Sequence, residues 1–403
     1  MKKIIILTHY YYPDPVAASM QYYQLSQELV KNNFEVIVIS SNRVRHNINK
    51  TLQKKSNYNN VKVIRLFRPN LDQNKVINKI ISSLWMTLTW SFFAIKNRKK
   101  INPDYIITGT DPAFSLISTF FWNTKSKRPK HIHWCFDLYP DVIVEQGLVK
   151  KNSILNKLFS LFFKKIYKSM DLLIDSSDCQ KVRLKNYIDK NKKLITCNPW
   201  ALIETKTIIK DDFAQKEKIF GKVDLSFLYS GSINFGRNFD SIFQLASDLD
   251  NFNCKFGISA ISDNHKKIKS RANDRGVDIL CLDFVPFKEL INRMSIIDFN
   301  LVLLEENWTG TLIPSKFFGS IALGRPVIYC GSDKSLISHL IKKYKIGYIL
   351  NNKNYKETLS SLIDLAKDSS KIKDMKRNSF NLYKNFFSKK INTTRFIKEI
   401  NNL

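Results

Sequence analysis

The 403-residue chain predicts two doubly wound α/β domains in tandem. Three observations carry that prediction. Short β-branched runs alternate with longer helical patterns from one end to the other. The runs are apolar almost without interruption, as expected where helices cover both faces of a parallel sheet. The alternation pauses once, near Asn198-Pro199, through a mostly polar stretch to about Lys222, and then begins again.

In the first half, strands are expected at 3–8, 35–40, 61–66, 105–108, 131–136, 172–175 and 194–197, with helices at 18–31, 154–168 and 178–187. After the pause, strands are expected at 225–230, 254–259, 278–283, 299–304, 326–330 and 348–350, most of them followed by a helical pattern. The tail from Lys371 to Leu403 reads as helical, with Met375, Leu382, Phe386 and Phe387 on one side, and is long enough to cross back to the first domain. Residues 1–200 are therefore expected to form one Rossmann-like domain and 201–370 a second, with 371–403 packed at least partly on the first. Two such sheets in tandem imply a cleft, and ligands of doubly wound sheets bind beyond the carboxyl ends of the strands.

Charge is unevenly distributed. Residues 1–200 hold 33 basic and 13 acidic residues, +20, whereas the remainder carries 32 and 22, +10. Within 51–100 there are 11 basic residues against the single acid Asp72. Such a surface attracts an anionic partner, either phospholipid headgroups or nucleic acid. A Lys- and Asn-rich composition alone does not account for the asymmetry. The apolar run Ile4 to Leu7 ends at His9, too early for a secretory signal, and the six scattered cysteines read as reduced packing residues. A cytoplasmic location is expected.

The segment 76–95 stands apart, with Trp85, Trp90, Phe92 and Phe93 among many aliphatic residues and Lys79 as its sole charge. Lys75 flanks one end, and Lys96, Arg98, Lys99 and Lys100 flank the other. Serines and threonines interrupt the run, so an interfacial helix on anionic lipid suits it better than a membrane span. A buried core helix is the competing reading.

The stretch 309–327, Thr-Gly-Thr-Leu-Ile-Pro-Ser-Lys-Phe-Phe-Gly-Ser-Ile-Ala-Leu-Gly-Arg-Pro-Val, is the most specific motif. Pro314 suits a first helical position, Gly324 ends the helix and Pro326 stops it from continuing. The start follows the strand 299–304, so its free N–H groups and dipole would meet a diphosphate, with Lys316 adding a full charge.

This motif resembles the retaining glycosyltransferases of family 4, which have the two-domain GT-B fold and a helix ending in Ala-x-Gly-x-Pro-Val, here Ala322, Gly324, Pro326 and Val327. The Pro-Ser-Lys start looks most like the branch that builds O-antigen, capsule and colanic-acid-type polysaccharides, which includes fucosamine-type transferases. The similarity spans nearly the whole chain. Tyr11-Tyr12-Pro13-Asp14-Pro15-Val16-Ala17-Ala18-Ser19 resembles the family's first strand-to-helix loop, and Asp137-Leu138-Tyr139-Pro140-Asp141 its Asp-Leu-x-Pro-Glu segment. Tyr229-Ser230-Gly231-Ser232-Ile233-Asn234-Phe235-Gly236-Arg237 resembles the loop that opens the donor domain, and Phe284-Val285-Pro286-Phe287 stands where the family holds the base. One departure is clear. Many members carry two glutamates eight apart on the donor helix, where this chain has Thr311 and Gly319.

The resemblance implies a metal-independent hexosyl transfer from a nucleotide diphosphate sugar, UDP-linked and hexosamine-type, to a lipid-linked saccharide at the inner face of the cell membrane. No cofactor, metal or nucleic acid is expected. Fixed dipoles and cations can stabilise a leaving diphosphate without a metal. Lys316, Arg237 and Asp137 are the catalytic candidates. Ser232, Asn234, Val285, Pro286, Phe287, Glu305, Thr309, Gly310, Thr311, Pro314 and Ser315 are expected on the donor, and His9, Asp14, Ala17, Ala18, Asp111 and Tyr139 on the acceptor. The pair His131-x-His133 lacks a third ligand with diagnostic spacing, and Asp248-Leu249-Asp250 falls at a helix end and reads as solvated. Alternative functions are a basic nucleic-acid-binding protein, for which no module is visible, and a GT-B epimerase or hydrolase of nucleotide sugars.

Overall fold

The computed structural model describes residues 1–45, 47, 49–73, 75–233, 235–260 and 264–403. The chain divides into two compact units. One comprises Met1–Asn198, Gly310–Leu312 and Asn392–Leu403; the other comprises Pro199–Thr309 and Ile313–Ile391.

The first unit is built on eight strands: β1 (Lys3–Leu7), β2 (Glu35–Ser41), β3 (Lys55–Tyr58), β4 (Val61–Leu66), β5 (Tyr105–Thr108), β6 (Lys130–Trp134), β7 (Leu172–Asp175) and β8 (Leu194–Thr196). Their order is β3-β4-β2-β1-β5-β6-β7-β8, and every pairing is parallel except β3 with β4. The strand β3 was not expected. Its sequence Lys-Ser-Asn-Tyr has no apolar run, and only its pairing along β4 makes it a strand.

Three helices cover one face of this sheet. Met86, Trp90 and Ala94 of the helix Val76–Ile101 pack on Ile5, Leu7, Ile37, Ile39 and Ile106. Phe120, ending the short helix Ser115–Phe120, meets the His131 ring at 5.7 Å, and the helix Ile154–Ser169 buries Phe163, Ile166 and Tyr167 against Leu173. Ile37, Ile5, Ile106 and His131 stand in one register row, so these helices share a face.

The helix Val76–Ile101 turns small polar residues inward beside Met86, Trp90 and Ala94: Ser82, Ser83, Thr87 and Ser91 are buried. Ile77, Leu84, Leu88 and Phe92 face out. One expectation is corrected here. Trp90 is only 1% exposed and belongs to the core, so it cannot meet a membrane. Phe93 is half-buried near Trp122, and Arg98 donates to the carbonyl of Asn123 at 2.7 Å. Phe92, Lys96, Lys99 and Lys100 are exposed, as is Trp85, whose ring N–H donates to the carbonyl of Phe67. Among the described residues, no helix is long and apolar enough to cross a membrane.

The last helix, Lys389–Asn401, contributes Asn392–Leu403 to the first unit. Phe396 meets Trp134 edge-on at 5.2 Å, and Arg395 donates to the carbonyl of Thr196 at 3.0 Å.

The second unit has six parallel strands: β9 (Leu225–Ser230), β10 (Cys254–Ser259), β11 (Leu280–Leu282), β12 (Phe299–Leu303), β13 (Val327–Cys330) and β14 (Gly347–Leu350). They are ordered β11-β10-β9-β12-β13-β14. Phe227 of β9 stacks on Phe256 at 4.4 Å and on Phe299 at 5.5 Å, making an aromatic spine across the sheet. The helix Ser315–Ala322 connects β12 to β13. At its end Gly324 adopts φ 71°, and a Cβ there would come within 2.7 Å of Ile208, so only glycine fits. Arg325 is wholly buried and pairs with Asp211, to which Lys376 also donates at 2.7 Å. The doubly wound α/β class expected from the sequence is therefore found in both units.

Candidate functional site

In the second unit, the strand ends of β9 and β12 lead into one cluster. The loop after β9 contains Gly231 at φ 123° and Gly236 at φ 71°. A Cβ at Gly231 would lie 2.5 Å from Lys316 Cε, and one at Gly236 would lie 2.9 Å from the Trp308 ring. The glycines thus let this loop close down on Lys316 and Trp308. The N–H of Glu305, just beyond β12, donates to the carbonyl of Gly236 at 3.0 Å and joins the two strand exits.

Lys316 Nζ donates to the Tyr229 hydroxyl at 2.7 Å and to the Ser232 carbonyl at 3.1 Å, and sits 4.2 Å from the Tyr229 ring centre. Burial pulls the Lys316 ammonium well below the usual lysine range, and Arg237 nearby lowers it further. Burial pushes the Tyr229 phenol up to about 12, although Arg237 opposes the rise. Among the described residues, neither Lys316 nor Arg237 has a carboxylate partner, and a basic pair of this kind makes a place where an anion is favoured.

The start of the helix Ser315–Ala322 adds to this. Pro314 is its N-cap, extended at φ −64° and ψ 108°, and no side chain caps the first turn. Pro314 thus precedes the helix rather than opening it. Ser153, Ser177, Asp212 and Ser335 each cap a helix by accepting a backbone N–H of its first turn, whereas several other helices, Ala17–Lys31 among them, have no such cap. What sets the start of Ser315–Ala322 apart is Lys316 in its first turn with Arg237 nearby. Ser315 is exposed beside Lys316, at the positive end of the helix dipole.

The remaining donor candidates divide. Ser232 and Glu305 are exposed on the strand exits. Val285 and Phe287 are half-buried and Pro286 exposed, after the edge strand β11. Thr309 Oγ1 is buried with no hydrogen-bond partner among the described residues, and Asn234 lies outside those residues. Two expectations are corrected. Gly310 and Thr311 belong to the first unit. A Cβ at Gly310 would come 2.7 Å from the Cys179 carbonyl, and Thr311 is fully buried, its carbonyl accepting from Leu138 N–H at 2.8 Å and Gln180 Nε2 at 3.1 Å. Packing, not ligand contact, accounts for both.

The first unit gathers a different group at the ends of β1 and β5. His9 Nδ1 lies 3.0 Å from Asp111 Oδ1, and its Nε2 lies 3.4 Å from Arg68 Nη1. Arg68 also donates to the Tyr10 hydroxyl at 2.8 Å, and Tyr10 stacks on His9 at 4.3 Å. Burial lowers the His9 pKa despite the opposing pull of Asp111. A neutral ring that donates from Nδ1 to Asp111 and accepts at Nε2 from Arg68 satisfies both contacts. His9 is only 2% exposed, which corrects its expected direct contact with an acceptor. The Asp111 carboxylate, about 50% exposed, is the open member of the pair.

Asp14 is corrected likewise. It is buried, and Oδ2 accepts the Arg45 N–H at 2.8 Å, so it props its own loop; burial pushes its carboxyl up to about 6. Ala17 and Ala18 open the helix Ala17–Lys31, which has no side-chain cap. Asp137 is half-buried, its N–H donating to Thr110 Oγ1 at 3.3 Å, and the Tyr139 ring stacks on Phe163 at 5.9 Å. His131 and His133 are buried, and burial lowers their pKa values to about 4 and about 3, as befits neutral core rings. Among the described residues, no group of three or more His, Cys, Asp or Glu side chains could hold a metal ion.

Sequence reasoning did not single out Tyr10, Arg68, Trp308 or the Tyr229 hydroxyl. Tyr229 stood in a quoted motif; Arg68 and Trp308 had no local pattern to mark them, because each acts through residues distant in the chain.

The two doubly wound units, each built on a largely parallel sheet, resemble the fold of the GT-B glycosyltransferases. No family model matches the chain. It is 23% identical over 286 residues to the probable glycosyltransferase WbjE of Pseudomonas aeruginosa, covering 70% of each protein. Sucrose-phosphate synthase of Thermosynechococcus elongatus superposes with a TM-score of 0.72 at 11% identity, covering 100% of this chain and 99% of that one. Anabaena HepE, solved in complex with UDP and glucose, gives 0.67 at 11% identity with 100% of both chains covered.

Proposed function

We propose that this protein is a retaining glycosyltransferase that moves a hexosamine-type sugar from a UDP-linked donor to a lipid-linked saccharide in bacterial surface polysaccharide synthesis. The carrying observation is the start of the helix Ser315–Ala322, which no side chain caps and where Lys316 and Arg237 stand together at the exit of β9 and β12. Supporting it are the similarity to WbjE and to the UDP-bound HepE, and the motif resemblance to the polysaccharide-building branch.

In the proposed reaction, the bond from the sugar's anomeric carbon to the β-phosphate oxygen breaks. A bond from the same carbon to an acceptor hydroxyl forms on the same face. The proton of that hydroxyl passes to the departing diphosphate. Lys316, Arg237 and the helix dipole stabilise the charge that develops on the leaving group, without a cofactor or metal. In the first unit, Asp111, oriented by His9, is the group assigned to the acceptor hydroxyl, with Asp137 and Tyr139 as further acceptor-side residues. The helix Val76–Ile101 rests on the inner face of the membrane through Trp85, Phe92 and its terminal lysines.

The test is thermal unfolding in the presence of UDP, UDP-sugars and other nucleotide diphosphates. A ligand at about 100 times its Kd stabilises by about 2.7 kcal/mol. UDP and a UDP-N-acetylhexosamine are expected to raise Tm in the wild type and not in Lys316→Ala. Equal shifts in both proteins remove Lys316 from the donor site, and no shift with any nucleotide removes the transferase reading.

A further inference from the structure

The helix Ile154–Ser169 carries a pattern that the proposed reaction leaves unused. Phe163, Ile166 and Tyr167 face the core, yet the opposite side is also apolar. Ile154 is 77% exposed, Leu158 57% and Leu161 64%, with Leu155 and Phe162 beside them. They recur at helical spacing, so they form one stripe rather than scattered surface residues. This repeats the arrangement of the helix Val76–Ile101, where Leu88 is 57% and Phe92 70% exposed while serines and threonines point inward.

The two helices lie on the same face of one sheet, on either side of the short helix Ser115–Phe120. Phe93 approaches Trp122 at 6.2 Å on one side, and Phe162 approaches Phe114 at 6.1 Å on the other. Phe121, which follows the short helix, is itself exposed between them. The charges match. Segments 75–101 and 150–169 each contain six lysines or arginines and no Asp or Glu. Cations beside an outward apolar stripe complement a surface that is apolar inside and anionic at its rim, the chemistry of an anionic lipid bilayer.

We infer that the helices Val76–Ile101 and Ile154–Ser169 form a two-element docking face that holds the first unit on an anionic bilayer, with Ile154, Leu158, Leu161 and Phe162 inserted beside Leu88 and Phe92. Two inserted helices fix the tilt of the sheet against the membrane plane, which one helix, free to roll about its axis, does not. The inference rests on the membrane-side placement proposed above and adds the second element and the fixed orientation.

The experiment is flotation of the full-length protein with vesicles of phosphatidylethanolamine and phosphatidylglycerol, and with vesicles of phosphatidylcholine alone. Wild type should float with the anionic vesicles. Leu158→Ser/Leu161→Ser and Trp85→Ser/Phe92→Ser should each weaken partition about tenfold, and the combined variant should remain unbound. Lys164→Glu/Lys165→Glu, at exposed positions, should lose the preference for phosphatidylglycerol even if a serine variant fails to fold. The thermal response to UDP should persist in all folded variants, which separates failure of docking from failure of the transferase reading. A Leu158→Ser/Leu161→Ser protein that floats like wild type overturns the inference. So does a wild type that floats with neither vesicle, or one whose stripe instead mediates a dimer in sedimentation that the serine variant abolishes.

Discussion

Two helix starts, one in each unit, differ in the features that favour an anion. In the first unit, the helix Asp178–Leu184 follows β7 and its first turn is capped by a side chain. Ser177 Oγ accepts the Gln180 N–H at 3.2 Å, and Gln180 Oε1 accepts from the Ser176 N–H at 2.8 Å and hydroxyl at 2.9 Å. In the second unit, the helix Ser315–Ala322 follows β12, has a proline where the capping side chain would stand, and places Lys316 in the first turn. Both are helix N-termini beyond parallel strands. On the proposed reading, phosphate affinity is not a property of the architecture; it needs a start without a side-chain cap together with a cation in the first turn.

The strongest way to break this comparison is Lys316→Ala. Loss of one preorganised donor to a leaving group costs on the order of 10²–10³ in kcat, so turnover should fall by that factor while the melting profile without ligand stays unchanged. Near-normal turnover would make the two helix starts functionally alike.

Next in size is Asp175, two residues before Ser177 and fully buried at the end of β7. Burial pushes its carboxyl up to about 7 from 3.8, against the favourable influence of Thr196 and Lys181. The native state then holds a proton that the unfolded chain has released, so stability falls as pH rises from 3.8 to about 7 and levels off above. Asp175→Asn should lose that decline and be more stable than wild type at pH 8 by roughly 2–4 kcal/mol, measured by denaturant unfolding at several pH values. Parallel stability curves for the two proteins would show that the capped start carries no such burden.

Pro314→Ser tests the converse by giving the second helix a cap. Its hydroxyl would accept a first-turn N–H, and UDP affinity should drop about tenfold by calorimetry. Unchanged affinity would mean that the backbone donors are not used. The smallest effect is expected from Ser177→Ala, which should cost about 1 kcal/mol of stability and leave UDP affinity intact. A change in UDP affinity there would join the two starts into one site.

Much of this was legible along the chain. The limits of β4, β5, β7, β9 and β10 match the expected runs residue for residue, because buried strands are dense in apolar residues, although β4 still exposes Lys62. The helix stop at Gly324 was equally visible, since a backbone at positive φ beside Ile208 admits only glycine. The polar strand β3 was not, because its strand character comes from its partner. Nor was the burial of His9, Asp14 and Thr311, whose neighbours Arg68, Arg45 and Gln180 lie far away in the chain.

By itself, the sequence determined the alternation of strands and helices, the glycine and proline punctuation, and the excess of positive charge, all of which follow from local sterics and composition. Only the tertiary structure decided which side of an amphipathic helix is inside. In Val76–Ile101 the stripe with serines and threonines is buried together with Trp90, while the richer apolar stripe is left outside. Periodicity reports that a helix has two faces. What packs against each is settled by the sheet beneath it.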